Sequence, residues 1–280
     1  MGLLRLYSYL ILISALLFMG TSFASNHSVS NHSTDNPLRI AVAANFTPVL
    51  KELLVEFHQQ TNIKTQIISG ATGALFLQIK HGAPFDIFIS ADSVRPKLLE
   101  QQDLILSGSR KTYAIGQLAL LSMNKQAQLS DLTLSLQEIA KYFAIANPDI
   151  APYGKAAKQT LQHLGLWEQY KKRLITGINI NQTFAQVRSQ AVSSGLVANS
   201  QLVINKLVGV VIPSSYHRPI KQQLVIVKNR NNIEHAKQLS KFLMSPKIQQ
   251  KIANFGYANN TFTQQPIQPL TQQENSNAKP

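Results

Sequence analysis

The chain has 280 residues, of which 44% are hydrophobic, and its formal net charge is +14. This length and apolar content allow one large or two medium domains with complete cores. Because the chain has no cysteine, disulfides, thiolate metal sites and cysteine nucleophiles are excluded. The lysines are scattered, with no arginine-rich arm or aromatic platform. The basic charge therefore favours a soluble surface or an anionic small ligand over nucleic acid.

The N-terminus has the pattern of an export signal. Arg5 supplies a positive charge, residues 10–20 are apolar, and small residues occupy the cleavage positions before Ala24. The apolar run is short for a membrane span, and a lipoprotein anchor would need a cysteine. We therefore predict a signal peptide over residues 1–24, cleaved near Ala24, and a mature protein in the periplasm. Residues 25–37 and 263–280 have the polar composition of a disordered spacer and a disordered tail.

The first folded stretch, residues 38–57, reads as a strand, a sharp turn and a helix. Alternating apolar and small residues before Asn45 suit a strand buried on both faces. Thr47 is predicted as the helix N-cap, with Pro48 at the first helical position. The apolar residues that follow have helical spacing and predict one buried face: Leu50, Leu53, Leu54 and Phe57. Such a turn leaves free backbone N–H groups that bind anions.

The next units continue the alternation of strand and helix. A strand at 64–69 enters a glycine-containing turn in which Thr72 is predicted to cap a helix at 74–80. No Lys-Ser/Thr pair follows this turn, so it does not match a phosphate-binding P-loop. A third strand is predicted at 86–90, and the long apolar run at 113–123 has the length to leave one domain for the next.

The pattern then restarts in the second half of the chain. Strands are predicted at 143–146, 177–180 and 195–198. A helix is predicted over 155–164, and another follows residue 180 with Phe184, Val187 and Ala191 on its apolar face.

Two successive βαβα runs predict two α/β domains. A late strand at 224–227 would return to the first domain. Each half offers two turns from strand to helix, near Asn45 and Thr72 and then near Tyr153 and Ile180. Ligands of open α/β sheets bind at the carboxyl ends of strands, so we expect these four turns to face one cleft.

The motifs at and between these turns carry a resemblance to a known family. They are AVAANFT (41–47), SGATG (69–73), GAPFDIFISAD (82–92), NPDIAPYGKAA (147–157), LGLWE (164–168) and GINI (177–180). With them the chain resembles the periplasmic molybdate-binding proteins of ABC importers over nearly all of residues 38–257. The resemblance implies an α/β type II periplasmic binding protein fold, with two doubly wound lobes joined by crossover strands. Lobe 1 would comprise residues 38–117 and 221–262, and lobe 2 residues 118–220.

The resemblance also implies the ligand residues. Asn45 and Thr72 match the ligand positions of the first lobe. Tyr153 matches one of the second lobe, and Ile180 matches another through its backbone N–H. Some members carry a tyrosine at the position of Ala198 and a small residue at the position of Tyr153. This chain has the reverse, so it keeps one tyrosine hydroxyl but supplies it from a different strand end.

The chemistry of these residues agrees with such a ligand. Molybdate and tungstate are tetrahedral dianions without protons at neutral pH, so their site needs hydrogen-bond donors and no acceptors. The amide, the two hydroxyls and the backbone N–H groups of the implied set are neutral donors. Phosphate, which carries a proton, would call for an acceptor. Another tetrahedral oxyanion such as sulfate is the alternative ligand, and the sequence does not separate molybdate from tungstate.

The sequence also bears on activity and partners. Six of the seven histidines lie away from the turns, His217 has no visible Ser or Asp partner, and no paired-carboxylate motif occurs. An exported enzyme is therefore the less favoured reading, since hydrolysis needs an activated nucleophile or a metal centre. We expect no cofactor, and molybdenum only within the bound oxyanion. The expected partner is the membrane permease of an ABC importer, and we expect a monomer.

Overall fold

The computed structural model describes residues 36–123, 142–228 and 230–258. The predicted signal peptide, nearly all of the predicted spacer and the predicted tail lie outside these residues. No helix in the described ranges is long and apolar enough to cross a membrane.

The described chain alternates strands and helices from Leu38 onward. The strands are β1 (Leu38–Ala43), β2 (Thr65–Gly70), β3 (Ile87–Ile89), β4 (Lys111–Gly116), β5 (Leu118–Ser122), β6 (Phe143–Ala146), β7 (Leu174–Gly177), β8 (Ser194–Ala198), β9 (Val210–Val211) and β10 (Ile220–Ile226). The helices are α1 (Thr47–Thr61), α2 (Thr72–Lys80), α3 (Val94–Gln101), α4 (Pro152–His163), α5 (Trp167–Tyr170), α6 (Ile180–Arg188), α7 (Asn199–Ile204), α8 (Ile233–Leu243) and α9 (Pro246–Asn254). A short 3-10 helix, Ser214–Tyr216, precedes β10.

The strands form two separate sheets, one for each lobe. The first has the order β2-β1-β3-β10-β4. In it, β1 is parallel to both β2 and β3. By contrast, β10 is antiparallel to both β3 and β4. The second has the order β7-β6-β8-β5-β9, in which β6 is parallel to β7 and β8. Helices pack on both sheets, which gives the α/β fold predicted from the sequence.

Two crossovers join the lobes. The predicted long strand at 113–123 is divided at Gln117 into β4, which belongs to the first sheet, and β5, which belongs to the second. The second crossover enters β10, which returns to the first sheet as predicted and begins at Ile220, earlier than expected. Residues that follow β1, β2, β6 and β7 line one cavity, so the carboxyl ends of these four strands face a common space.

The core of the first lobe forms around β1 and α1. The predicted apolar face of α1 is confirmed, because Leu50, Leu53, Leu54 and Phe57 are all buried. At the far side of this helix, Glu56 accepts ion pairs from Lys247 and Lys251 of α9, each at 2.6 Å. These contacts tie the C-terminal helix to the helix that follows the first strand.

Four local predictions are wrong. The strand predicted at 177–180 is instead β7, and Ile180 begins α6, because the Asn179 side chain accepts hydrogen bonds from the backbone N–H groups of Asn181 and Gln182 and starts the helix. That helix ends at Arg188, before the predicted Ala191. Neither predicted threonine caps a helix: the flanking residues Phe46 and Ala71 are the N-caps, and each threonine is already helical.

The pairing of β6 with β8 requires a glycine, which gives a test of the second sheet. A Cβ on Gly195 would lie 2.6 Å from the carbonyl oxygen of Ala144 on the neighbouring strand. Because backbone has to move to relieve this clash, we expect Gly195→Ala to lower the free energy of unfolding by about 1–3 kcal/mol. Chemical denaturation measures this, with Ser193→Ala at an exposed position as the control. Equal stability of the two variants would contradict the register.

Candidate functional site

The four residues implied by the sequence line one small cavity between the lobes: Asn45, Thr72, Tyr153 and Ile180. The cavity volume is about 10 Å³, which is about the space that one water molecule needs. The rest of the lining consists mostly of alanine and glycine, together with Pro152 and Asn179, and no charged residue contributes to it. This geometry suits a small solute and is too small for a sugar or a peptide.

Thr72 is placed by the first turn of α2. It is only 1% exposed, and its Oγ1 accepts a hydrogen bond from the backbone N–H of Ala91 at 3.1 Å. No acceptor in the described residues takes its hydroxyl proton. The Thr72 hydroxyl oxygen therefore accepts a hydrogen bond from the protein, whereas its proton remains free to be donated to a ligand.

Tyr153 lies in the first turn of α4 and shows the same division. Its hydroxyl accepts a hydrogen bond from Nε2 of Gln222 at 3.1 Å, and within the described chain its proton has no acceptor. Burial raises the pKa of the Tyr153 hydroxyl well above its ordinary value, and the neighbouring Tyr257 adds to this shift. Tyr153 therefore keeps its proton at neutral pH.

Asn45 follows β1 and is 1% exposed. Its Nδ2 donates to Oε1 of Gln222 at 3.0 Å and to the hydroxyl of Tyr257 at 3.1 Å. Both amide hydrogens are thus used within the protein. The backbone N–H of Asn45 has no acceptor among the residues that the structure describes, so this group is the free donor at the end of β1.

Ile180 contributes the N-terminus of α6. Its carbonyl accepts a hydrogen bond from Nε2 of Gln201 at 3.3 Å, whereas its backbone N–H has no acceptor within the described ranges. Because Asn179 caps the next two N–H groups, the N–H of Ile180 is the one left over beside the cavity. Ala198, at the end of β8, is fully buried and belongs to the same apolar cluster as Ile180.

Direct contacts between the lobes close one side of the cavity. The backbone N–H of Gly73 donates to the carbonyl oxygen of Ile150 at 2.9 Å. Nη2 of Arg95 donates to the carbonyl oxygen of Asp149, also at 2.9 Å, while the same guanidinium pairs with Asp92. The structure therefore has the lobes in contact, with one cation held across the cleft.

The polar groups of the described residues around the cavity are neutral hydrogen-bonding groups. Among the described residues no group of three or more His, Cys, Asp or Glu is placed to hold a metal ion. His217 is mostly buried, and its Nδ1 contacts the carbonyl oxygen of Arg218 rather than a catalytic partner. What the cavity offers is a set of neutral N–H and O–H donors at the ends of helices, which is the chemistry of anion binding.

Sequence reasoning missed the residues behind the cavity. Gln222, Tyr113 and Tyr257 are buried and form a hydrogen-bonded group with Asn45 and Tyr153. The available signal was the pair of adjacent glutamines in β10, whose sequence is IKQQLVI.

Thr72 allows a test of the site without a ligand. Thr72→Val keeps the shape but leaves the buried N–H of Ala91 without an acceptor, so we expect a loss of about 1–3 kcal/mol in the free energy of unfolding. Thr72→Ser keeps the oxygen and serves as the matched control, with a smaller loss. Chemical denaturation of the ligand-free proteins decides this, and equal losses in the two variants would contradict the assigned bond.

Comparison with known proteins agrees with the fold. The model of a family described as bacterial extracellular solute-binding protein matches residues 38–258. The molybdate-binding protein ModA of Azotobacter vinelandii is 38% identical, over 79% of this chain and 89% of that protein. ModA of Rhodobacter capsulatus is 37% identical, over 78% of this chain and 86% of that protein.

Solved structures of solute-binding proteins also align with this chain. The periplasmic molybdate-binding protein of Azotobacter vinelandii aligns with a TM-score of 0.73 and 34% identity, covering 79% of this chain and 98% of that one. The sulfate-binding protein SubI of Mycobacterium tuberculosis aligns with a TM-score of 0.66 over 80% of this chain and 87% of that one, but at 10% identity this shows only a shared fold. The chain belongs to the bacterial extracellular solute-binding protein family.

Proposed function

We propose that this protein binds molybdate or tungstate between its two lobes and delivers it to the membrane permease of an ABC importer. The observation that carries the proposal is the small uncharged cavity, whose two hydroxyls have their accepting sides occupied by the protein and their protons free. A fully deprotonated tetrahedral dianion needs this polarity, because every one of its oxygens is an acceptor.

The proposed ligand shell consists of groups from both lobes. Thr72 and Tyr153 supply hydroxyls, whereas Asn45 and Ile180 supply backbone N–H groups. In this proposal molybdenum enters only as the oxyanion and no resident cofactor takes part. Since neither lobe has all the donors, the lobes have to close on the ligand, as hinged binding proteins do.

The relatives support this choice over the alternatives. Those that cover most of the chain at 37–38% identity are molybdate-binding proteins. The sulfate-binding relative shares only the fold, so sulfate stays the second candidate ligand. An enzymatic role has no support among the solute-binding relatives. The periplasmic location, the monomeric state and the lobe boundaries at 117/118 and 220/221 are part of the proposal.

A titration of the purified mature protein tests the ligand. We expect isothermal titration calorimetry to give one molybdate bound per chain, with comparable binding of tungstate and little or none of phosphate. Ligand that binds only the native state also raises the melting temperature. Sulfate or phosphate binding more tightly than molybdate would contradict the assignment.

Tyr153 is the proposed side-chain donor of the second lobe, and its hydroxyl can be removed without changing the ring. A hydrogen bond to a charged partner contributes about 1.5–3 kcal/mol. We therefore expect Tyr153→Phe to weaken molybdate binding roughly ten- to a hundredfold. The ligand-free variant should melt at a lower temperature than the parent, because the buried Nε2 of Gln222 loses its acceptor.

The matched control is Tyr216→Phe. Tyr216 is in the same lobe but stacks on His163 and does not line the cavity. Calorimetric titration of both variants separates a ligand contact from a general effect of losing a tyrosine hydroxyl. If Tyr153→Phe binds molybdate as tightly as Tyr216→Phe, Tyr153 is not a ligand residue.

A further inference from the structure

Gln222 occupies a position that an apolar residue would ordinarily fill. It lies in β10, the strand by which the chain returns to the first lobe, and it is 0% exposed. A fully buried carboxamide is costly unless its hydrogen-bonding groups are satisfied. At Gln222 they are satisfied by residues around the cavity.

The contacts of Gln222 give its carboxamide a defined orientation. Oε1 receives hydrogen bonds from Nδ2 of Asn45 at 3.0 Å and from the hydroxyl of Tyr113 at 2.8 Å. With its oxygen occupied by two donors, the carboxamide turns Nε2 to the other side. There it donates to the hydroxyl of Tyr153 at 3.1 Å. One side chain on a crossover strand thus joins the end of β1 in the first lobe to α4 in the second.

The neighbouring crossover strand makes room for this contact. A Cβ on Gly116, the last residue of β4, would lie 2.4 Å from the Tyr153 hydroxyl oxygen and 2.7 Å from Nε2 of Gln222. No side chain other than that of glycine fits there while Tyr153 and Gln222 stay bonded. The pair is therefore a built feature of the hinge region.

We propose that Gln222 is a positioning residue that determines the hydrogen-bond polarity of the ligand site. Its N–H occupies the accepting side of the Tyr153 hydroxyl, so that Tyr153 presents only a proton to the cavity. A site with this polarity favours an oxyanion without protons and disfavours one that carries an O–H needing an acceptor. The inference rests on the proposed function and adds a source of selectivity to it.

Gln222→Glu tests this role because it keeps the size and one acceptor oxygen while replacing the N–H donor with oxygen. The carboxylate accepts a hydrogen bond from the Tyr153 hydroxyl, which turns that O–H away from the ligand. We expect molybdate affinity to fall at least about tenfold at pH 8. Because the new negative charge also repels the anion, the variant is combined with Tyr153→Phe in a double-mutant cycle.

The cycle distinguishes action through Tyr153 from simple repulsion. Independent effects would multiply, so that the fold-loss of affinity in the double variant would equal the product of the fold-losses in the two single variants. If Gln222 acts through Tyr153, we expect the double variant to bind molybdate at least about tenfold more tightly than that product predicts. If the two losses multiply, the proposal is wrong. Gln223→Glu is the control for charge, since Gln223 is the next residue of the same strand and contacts Arg110 and Thr112 instead of the site.

A pH profile gives a second readout that a purely structural role would not produce. A buried glutamate is protonated more readily than an exposed one, and its O–H can donate to Tyr153 as the amide did. We expect molybdate affinity of Gln222→Glu to recover at least about fivefold from pH 8 to pH 5.5, beyond any change in the parent and in Gln223→Glu. A profile parallel to that of the parent would overturn the proposal.

The melting temperature of each ligand-free variant checks that it is folded. Failure of the proposed function has a different signature: the parent protein itself would not bind molybdate. A parent that binds molybdate, together with multiplicative losses in the cycle, would refute the role of Gln222 alone.

Discussion

The site depends on one constraint, which is that a donor facing the cavity has to have its accepting side occupied elsewhere. Hydroxyl groups both donate and accept, so an unconstrained threonine or tyrosine presents either polarity to a ligand. Here the backbone N–H of Ala91 holds Thr72 and the amide of Gln222 holds Tyr153. A buried dianion is stabilised only if hydrogen bonds replace its lost hydration, because burial of an unpaired charge is very costly. The hydrogen bonds from Ala91 and Gln222 thus fix the direction in which Thr72 and Tyr153 donate.

This constraint explains why the crossover strands and the candidate site lie together. The residue that orients Tyr153 lies on β10, and the glycine that accommodates it ends β4. Both strands connect the lobes, so the geometry of the crossover and the polarity of the cavity depend on each other. Buried tyrosines complete the connection, since burial raises the pKa of Tyr113 and Tyr257 and keeps them neutral. Because the network behind the cavity is neutral, it places no negative charge beside an anionic ligand.

Much of the fold could be predicted from the sequence, because its elements are short and strongly patterned. The strand Phe143–Ala146 has the predicted bounds. The predictions failed where a polar side chain decides between two local structures. Asn179 starts a helix where apolar residues suggested a strand, and Thr72 uses its hydroxyl on Ala91 instead of capping α2. The Thr72 contact joins residues far apart in sequence, which no local pattern contains. The Asn179 cap is local, and an asparagine before an apolar helix face is the signal that would have predicted it.

The candidate site was predictable in its positions but not in its mechanism of recognition. The four residues come to one cavity because parallel strands bring their carboxyl ends together. The sequence suggested the Asn45 side chain as a donor, whereas the structure directs it to Gln222 and Tyr257 and leaves its backbone N–H free.

The separation of net charge from the cavity is the last consequence of this design. The chain is strongly basic, yet no charged side chain lines the cavity. Positive charge at the surface attracts anions from a distance and is screened by salt, so it contributes to the rate of encounter more than to selectivity. Selectivity then falls to the neutral donors, whose strength depends on geometry and whose contacts are lost together when the lobes separate. A lysine in the cavity would hold any anion whatever its protonation, and would hold it in the open form too. Neutral donors divided between two lobes would make tight binding depend on lobe closure, which is the property that the proposed delivery to a permease requires.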